Sequence, residues 1–445
     1  MILSALLILM AFALPLLSGF FITSILEREL ALRFRILFAI PLGFGIHSIF
    51  YFVYQCLNVY NFKNFQIFEV IFVLILAICY YNQERPDLSK HKFHKLNNWF
   101  YLANLYGLCM FFKYFINNPM GSWDGLRIWN IKAEFLFQQT PLWQNVFKLP
   151  HFMMHSDYPM FLPSSTARLW SWVGEQNFYL NLAFGAVFTF GLVYLLYQTI
   201  RYFKSEKIAN IVCIVFMISD VVMVNGAAQC ADIPLAMFFL STIVCLFFYS
   251  KTKHTSLLVL SILFAGLSVW VKNEGMLFFF VYVTTILGWL LYRKNYKITL
   301  LTAILGVAFF ALSAFYKKLT GTPNDLVYGL ILGKTYKFAL EPYRYAVVVS
   351  TFLSMLFKKF TLFLALFILC LKGFKLKETI KTPFLLTSIM FLLCVFGYVT
   401  IYIIAPHDIN WIVENSLERI ILQILPIFLV LLSLSLRIGK PDTLN

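Results

Sequence analysis

Long apolar runs separated by short polar segments make up most of this sequence. A helix needs about 20 predominantly apolar residues to cross the hydrocarbon core of a bilayer, and most of the runs approach that length. The pattern therefore predicts thirteen membrane-spanning helices. They are expected near residues 3–24, 36–56, 65–81, 99–116, 178–199, 208–224, 232–250, 255–271, 275–292, 298–316, 346–371, 383–404 and 419–437.

The balance of apolar and charged residues excludes a soluble protein. Of the 445 residues, 61% are hydrophobic and 13% are charged, whereas soluble domains are nearer half apolar and a quarter charged. The same balance excludes a disordered chain. The net charge of +16 would suggest nucleic acid in a soluble domain. Here the basic residues lie mostly between apolar runs, so we expect membrane lipids and no nucleic acid as partners.

Lysine and arginine are concentrated in alternate connections between the runs. Such connections stay in the cytoplasm, which predicts an external N-terminus and a cytoplasmic C-terminus. The basic segments are 28–35, 85–95, 201–207, 251–253, 293–297, 372–381 and 437–440. Acidic residues and histidines gather in the other connections, above all in the long loop 117–177, which is expected outside.

Three parts of the chain follow from this pattern. Residues 1–98 hold three N-terminal spans and a cytoplasmic connection, and residues 438–445 form a cytoplasmic tail. Residues 99–437 hold the remaining spans and the external loop, in which two interfacial helices are expected, near 121–136 and 164–174.

Two aspartates stand where helices are expected to begin on the external side. Asp124 follows Gly121, Ser122 and Trp123, and Asp232 opens a span two residues before Pro234. A carboxylate at a helix start can simply satisfy backbone N–H groups. It is also costly to place beside hydrocarbon without a functional reason. Each aspartate alone therefore leaves a structural and a functional interpretation open.

Further polar candidates lie at the same membrane face. His155, Asp157 and Tyr158 precede two prolines, and a capped turn is the structural alternative for this segment. Lys272 and Arg419 are cations where the charge bias disfavours them. Lys272 can pair with Glu274 or bind an anion, and Arg419 can bind a phosphate or extend its side chain to the interface. His407 and Asp408 are additional candidates.

The order of these segments resembles that of the bacterial GT-C glycosyltransferases, in particular the protein O-mannosyltransferase and aminoarabinose-transferase branch. The segments that carry the resemblance are SWDGLRIWNIKAEFL with Asp124, HSDYPMFLP, ADIPLAMFF with Asp232, WVKNEG with Lys272, and SLERIILQILP with Arg419. The sequence departs from that branch in having Gly125 after Asp124, where two adjacent acids are common. The external loop also follows the fourth span instead of the first, as three extra N-terminal helices would produce.

The resemblance implies a GT-C-like bundle in the bacterial inner (plasma) membrane, with its active site facing outside. It implies an inverting transfer of a sugar from a polyprenyl-phosphate donor to a glycan, lipid or protein acceptor. In that scheme Asp124 is the general base, Asp232 orients the acceptor or steadies positive charge on the sugar, and Lys272 and Arg419 hold the phosphate. The other expected substrate contacts are His155, Asp157, Tyr158, Glu274 and His407. No cofactor is expected, and a divalent metal requirement is left open.

Two other classes of protein fit the apolar composition. A polytopic transporter or lipid flippase should carry charged or broken helices at mid-membrane, whereas the polar candidates here lie mostly at external helix ends. A non-catalytic membrane subunit would keep the fold without needing the two aspartates.

Overall fold

The computed structural model describes residues 2–59, 61–83, 98–149, 155–321, 335–371 and 382–436, and this part of the chain is helical. The helices are α1 (Ile2–Leu26), α2 (Leu32–Cys56), α3 (Phe62–Tyr81), α4 (Asn98–Asn117), α5 (Ile131–Phe137), α6 (Phe161–Val173), α7 (Phe178–Phe203), α8 (Glu206–Met217), α9 (Asp220–Ala227), α10 (Asp232–Thr252), α11 (Thr255–Val271), α12 (Asn273–Tyr292), α13 (Tyr296–Thr320), α14 (Thr335–Ala339), α15 (Pro342–Lys358), α16 (Thr361–Leu371), α17 (Thr382–Ile404) and α18 (Ile409–Ser435). A π-helical turn, Gly125–Asn130, leads into α5, and a 3-10 helix spans Pro141–Lys148.

The part of the chain that the structure describes contains fewer candidate membrane spans than the thirteen predicted. Within the described residues, nine helices are long and apolar enough to cross a membrane, and eleven if each of two bent pairs counts as one span. The predicted span 208–224 is the pair α8 and α9, bent by 61°, and 346–371 is the pair α15 and α16, bent by 87°. Helix α11 is too short to count, and polar residues such as Asn104 and Lys113 lower the mean hydropathy of α4.

Helix α10 is the centre of the bundle. It packs against α7, α11 and α18, and 94% of its most apolar 18 residues are buried. An apolar surface on all sides of a helix suits such a fully surrounded position. Helices α3 and α13 are at least as apolar, yet only 17% and 11% of their most apolar 18 residues are buried. Their apolar outer faces are therefore suited to contact with lipid.

Of the two helices expected at the membrane interface, the second is buried and the first is partly exposed. In α6, every residue from Phe161 to Trp172 is buried, and the helix packs against α1, α2 and α5. In the first segment, 121–136, one face is exposed and the other is buried: Trp123, Arg127 and Glu134 are exposed, and Trp129, Ala133 and Leu136 are buried. The first segment is thus amphipathic, as its spacing predicts, whereas every face of α6 is covered by the rest of the protein.

The N-terminal helices are packed closely into the bundle. A Cβ atom added to Gly43 in α2 would lie 1.8 Å from the carbonyl oxygen of Pro15 in α1, and one added to Gly19 would lie 2.2 Å from that of Ala39. Small residues allow this backbone-to-backbone approach between membrane helices. Helix α2 in turn packs against α6 and α7.

The basic connections that lie within the described residues meet at one end of the bundle. The Nζ atom of Lys251 donates to the Tyr202 hydroxyl at 2.9 Å, and the Nδ1 atom of His254 lies 3.1 Å from Glu27 Oε1. The ends of α1, α7 and α10 therefore lie together, as the charge pattern predicts. The basic segments 85–95, 372–381 and 437–440 lie outside the described residues.

Labelling with a membrane-impermeant maleimide will show which end faces the cytoplasm. We expect external reagent on intact cells to modify a Trp123→Cys variant and to spare a Tyr292→Cys variant, because positively charged connections remain inside. Both positions are exposed, and the exposed native Cys79 and Cys109 would be replaced by alanine. Labelling of Tyr292→Cys alone would reverse the predicted orientation.

Candidate active site

Asp232 is the deepest acid of the candidate site and begins α10. Its Oδ1 atom accepts hydrogen bonds from Lys272 Nζ at 2.9 Å and from Gln423 Nε2 at 2.6 Å. Its Oδ2 atom is buried and accepts no hydrogen bond from the described residues. The residue is 1% exposed. Its side chain thus joins α10 to two distant parts of the chain, which the helix-start interpretation did not include.

Lys272 lies in the tight connection between α11 and α12, where its extended backbone separates the two helices. Its ammonium group contacts Asp232 and also Glu274, at 2.8 Å. Burial opposes the charged form, but the carboxylates of Asp232 and Glu274 outweigh it and raise the pKa of Lys272 above its usual value. The residue, 4% exposed, is therefore a buried cation shared by two acids.

Arg419 and Asp124 form the more accessible pair of the site. An Nη1 atom of Arg419, in α18, donates to the Asp124 carboxylate. Their side chains are 22% and 21% exposed. Asp124 makes no side-chain capping bond, and the Gly125 N–H instead donates to Ser122 Oγ at 3.1 Å. The helix-cap interpretation of Asp124 is therefore wrong.

One face of α18 joins the two aspartates. Arg419 and Gln423 are four residues apart, so they are neighbours on the same helix face. Arg419 contacts Asp124, and Gln423 contacts Asp232. The start of α10, the end of α11 and the start of α12 all lie beside these residues. The site thus lies at one end of these three helices, opposite the basic connections.

The segment His155–Tyr158 covers the buried part of the site. Asp157 Oδ2 accepts from Asn273 Nδ2 at 2.6 Å, and Lys272 Nζ lies 5.6 Å from the centre of the Tyr158 ring. That ring is stacked between His155, at 4.9 Å between ring centres, and Trp129, at 5.5 Å. The turn that was the structural alternative for this segment is present, and it brings an aromatic stack beside the acids.

Lys132 and Tyr316 hold this turn and were not predicted as site residues. Lys132 Nζ donates to the carbonyl oxygen of His155 at 2.6 Å, and the Tyr316 hydroxyl donates to that of Tyr158 at 2.7 Å. Burial lowers the pKa of Lys132 to about 7, although Asp157 acts in the opposite direction. The position of Lys132, one turn after Trp129 on a helix that the pattern makes amphipathic, was the available sequence signal. No sequence signal distinguished Tyr316 from the other tyrosines, of which the chain has 24 in all.

His407 is the one expected site residue that the described contacts place elsewhere. It lies exposed in the connection from α17 to α18, where its ring centre is 6.4 Å from that of Trp411. Arg419 lies about 15 Å further along α18, at 1.5 Å per residue. Asp408, next to His407, caps α18 by accepting a hydrogen bond from the Trp411 N–H at 2.8 Å. Both residues thus belong to the start of α18.

A group able to hold a metal ion occurs at the other end of the bundle. Within the part of the chain that the structure describes, a carboxylate oxygen of Glu27, one of Glu29 and a ring nitrogen of His254 all lie within 4.8 Å of one another. Ser256 also donates to Glu27, at 2.5 Å. This group adjoins the end of α10 opposite Asp232, so it does not contribute to the candidate active site.

Eight of the nine predicted site residues thus form one connected cluster. They are Asp124, Asp232, His155, Asp157, Tyr158, Lys272, Glu274 and Arg419. No protein-family model, no curated protein and no solved structure matches the chain.

Proposed function

We propose that this protein is a membrane glycosyltransferase that moves a sugar from a polyprenyl-phosphate donor to an acceptor hydroxyl. The observation that carries the proposal is the meeting of Asp124 and Asp232 on one face of α18, through Arg419 and Gln423. Two acids 108 positions apart share one site with cations. Apolar outer faces on the surrounding helices suit a donor with a prenyl chain.

The partly exposed pair, Arg419 and Asp124, is the part of the site that substrate meets first. Arginine forms bidentate contacts with phosphate, and Arg419 is more accessible than Lys272. A donor phosphate that binds Arg419 competes with Asp124 for the guanidinium group. Donor binding then releases the Asp124 carboxylate beside the reacting centre. Lys272, held by two carboxylates, supplies the positive charge that faces Asp232 and Glu274 in the buried part of the site.

The transfer step uses the released carboxylate as a general base. The acceptor oxygen bonds to the anomeric carbon while the bond from that carbon to the phosphate oxygen breaks. The acceptor proton passes to Asp124, and the polyprenyl phosphate leaves. The buried Oδ2 atom of Asp232 and the Oε2 atom of Glu274 accept no hydrogen bond from the described residues. They are suited to face sugar hydroxyls or the positive charge that develops on the ring. The Trp129–Tyr158–His155 stack offers an aromatic surface for the sugar.

An Arg419→Gln variant tests donor binding directly. We expect its affinity for polyprenyl phosphate, measured with purified protein in detergent, to fall roughly 10- to 100-fold, because a charge-assisted contact is lost. Arg127→Gln removes an exposed arginine from the nearby π-helical turn and is the matched control. It should bind like the wild type. Equal affinity in Arg419→Gln and wild type would remove Arg419 from the site.

The transporter alternative finds some support in the two bent helix pairs. One bend adjoins Lys359, which lies 3.5 Å from Glu418 Oε2, next to Arg419 in the sequence. Formation of a glycosylated acceptor by the purified protein, with release of polyprenyl phosphate, separates the two functions. Transport in vesicles without any such product would favour the alternative.

A further inference from the structure

A second buried ionic network lies among the N-terminal helices, apart from the candidate active site. Its centre is Glu69 in α3, which is 0% exposed although α3 is otherwise a peripheral helix. Glu69 Oε1 accepts from Arg168 Nε at 2.5 Å and contacts His47 Nδ1 at 2.5 Å. Glu69 Oε2 accepts from Trp172 Nε1 at 2.8 Å. One carboxylate thus binds three side chains from two other helices, α2 and α6.

The network continues into α1. The Nε2 atom of His47 lies 2.8 Å from Ser18 Oγ, and Arg168 Nη1 donates to the carbonyl oxygen of Ala11 at 2.7 Å. Helices α1, α2, α3 and α6 are therefore held at one point. Charged side chains inside membrane helices are expensive and rare, and they usually have a specific partner and role.

Ser18, His47 and Glu69 follow the order of a hydroxyl, imidazole and carboxylate relay. A catalytic hydroxyl must be reached by a substrate. Ser18 and His47 are both 0% exposed, and Ser18 Oγ also lies 2.9 Å from the carbonyl oxygen of Leu14 in its own helix. The arrangement is therefore suited to holding helices in place and not to attacking a substrate.

Helix α6 connects this network to the candidate active site. It begins at Phe161, directly after the segment that holds Asp157 and Tyr158. Arg168 and Trp172 lie one turn apart on α6 and bind the two oxygens of the same carboxylate. Two such contacts restrict both the rotation of α6 and its movement along its axis.

We propose that Glu69 is a positioning residue for the active site. By holding Arg168 and Trp172, it sets α6 so that Asp157 and Tyr158 reach Asn273 and Lys272. The three N-terminal helices are then part of the scaffold of the site, which deepens the glycosyltransferase proposal and, for its catalytic consequence, rests on it. Because the positioning itself is a structural property, it can be measured without any transfer assay.

The first measurement is hydrogen–deuterium exchange across residues 155–165 in a Glu69→Gln variant. This change keeps the shape of the side chain but leaves Arg168 without its countercharge. We expect at least tenfold faster exchange in that segment, whose amides include Tyr158 N–H bonded to His155 O at 2.9 Å and Ser164 N–H bonded to Met160 O at 2.9 Å. We also expect kcat/KM for transfer to fall about 10- to 100-fold, because small misplacements of reacting groups reduce the rate by such factors.

Tyr282→Phe is the matched control. It removes a fully buried hydrogen bond, from the Tyr282 hydroxyl to Ser261 Oγ at 2.8 Å, between helices α12 and α11. This variant should lose stability while residues 155–165 exchange at the wild-type rate. A Glu69→Gln protein that is less stable but keeps wild-type exchange in that segment would overturn the positioning role.

Two further outcomes are distinguishable. Faster exchange in Glu69→Gln, with no transfer by the wild-type protein, would support the positioning role and contradict the glycosyltransferase proposal. If Glu69→Gln does not fold, the same measurements are made on the double variant Glu69→Gln/Arg168→Gln, which leaves no unpaired charge between these two residues. Faster exchange in residues 155–165 is again expected, and wild-type exchange there would again overturn the positioning role.

Discussion

An Asp124→Asn variant is expected to lose about 10²–10⁴-fold in the rate of sugar transfer, the usual contribution of a general base. Asparagine keeps the shape of the side chain but takes no proton from the acceptor hydroxyl. Because Asp124 is partly exposed and caps no helix, the fold should remain intact. Transfer from a polyprenyl-phosphate sugar and thermal unfolding in detergent are measured on the same preparations.

Donor affinity provides a second, independent result for this variant. The neutral amide that replaces the carboxylate would compete less for Arg419, so polyprenyl phosphate should bind Asp124→Asn at least as tightly as it binds the wild type. Glu418→Gln is the matched control, since it removes a neighbouring carboxylate that is also paired with a cation, Lys359. It should transfer within a few-fold of the wild type. A stable Asp124→Asn protein with the wild-type rate would show that Asp124 is not the base.

A Lys272→Met variant is expected to lose about 3–5 kcal/mol of stability, because removing one partner of a buried pair leaves an uncompensated charge. The charge in question is Asp232, with Glu274 beside it. The midpoint of thermal unfolding in detergent should therefore fall by several degrees. Lys318→Met, which changes an exposed lysine near the end of α13, is the control and should unfold like the wild type.

The double variant Lys272→Met/Asp232→Asn separates the charge effect from the loss of packing. It buries neither the cation nor Asp232, the more buried of its two acids, so most of the lost stability should return. A Lys272→Met protein as stable as the wild type would mean that Asp232 does not depend on Lys272 in the folded state. An equally unstable double variant would assign the effect to the lysine stem.

The residues of the candidate site could be selected from the sequence alone because charges are conspicuous in this composition. In a chain with 13% charged residues, an acid or a cation at the edge of an apolar run stands out. The resemblance to a known order of motifs then selected Asp124, Asp232, Lys272 and Arg419. The same reasoning missed Glu69 and Arg168. Glu69 lies inside a run that the pattern assigns to a span, and Arg168 lies in a helix that the pattern assigns to the interface.

The sequence by itself determined that this is a helical membrane protein, because apolar runs of spanning length have no other stable arrangement in lipid. It also determined which side chains carry charge near helix ends. Only the tertiary structure decided how the charges pair. Arg419 meets Asp124 across 295 positions of sequence, and Glu69 meets Arg168 across 99. It also decided that α6 is buried and that two predicted spans are bent. These features depend on which helix faces touch, and hydrophobic periodicity does not distinguish a face covered by lipid from one covered by another helix.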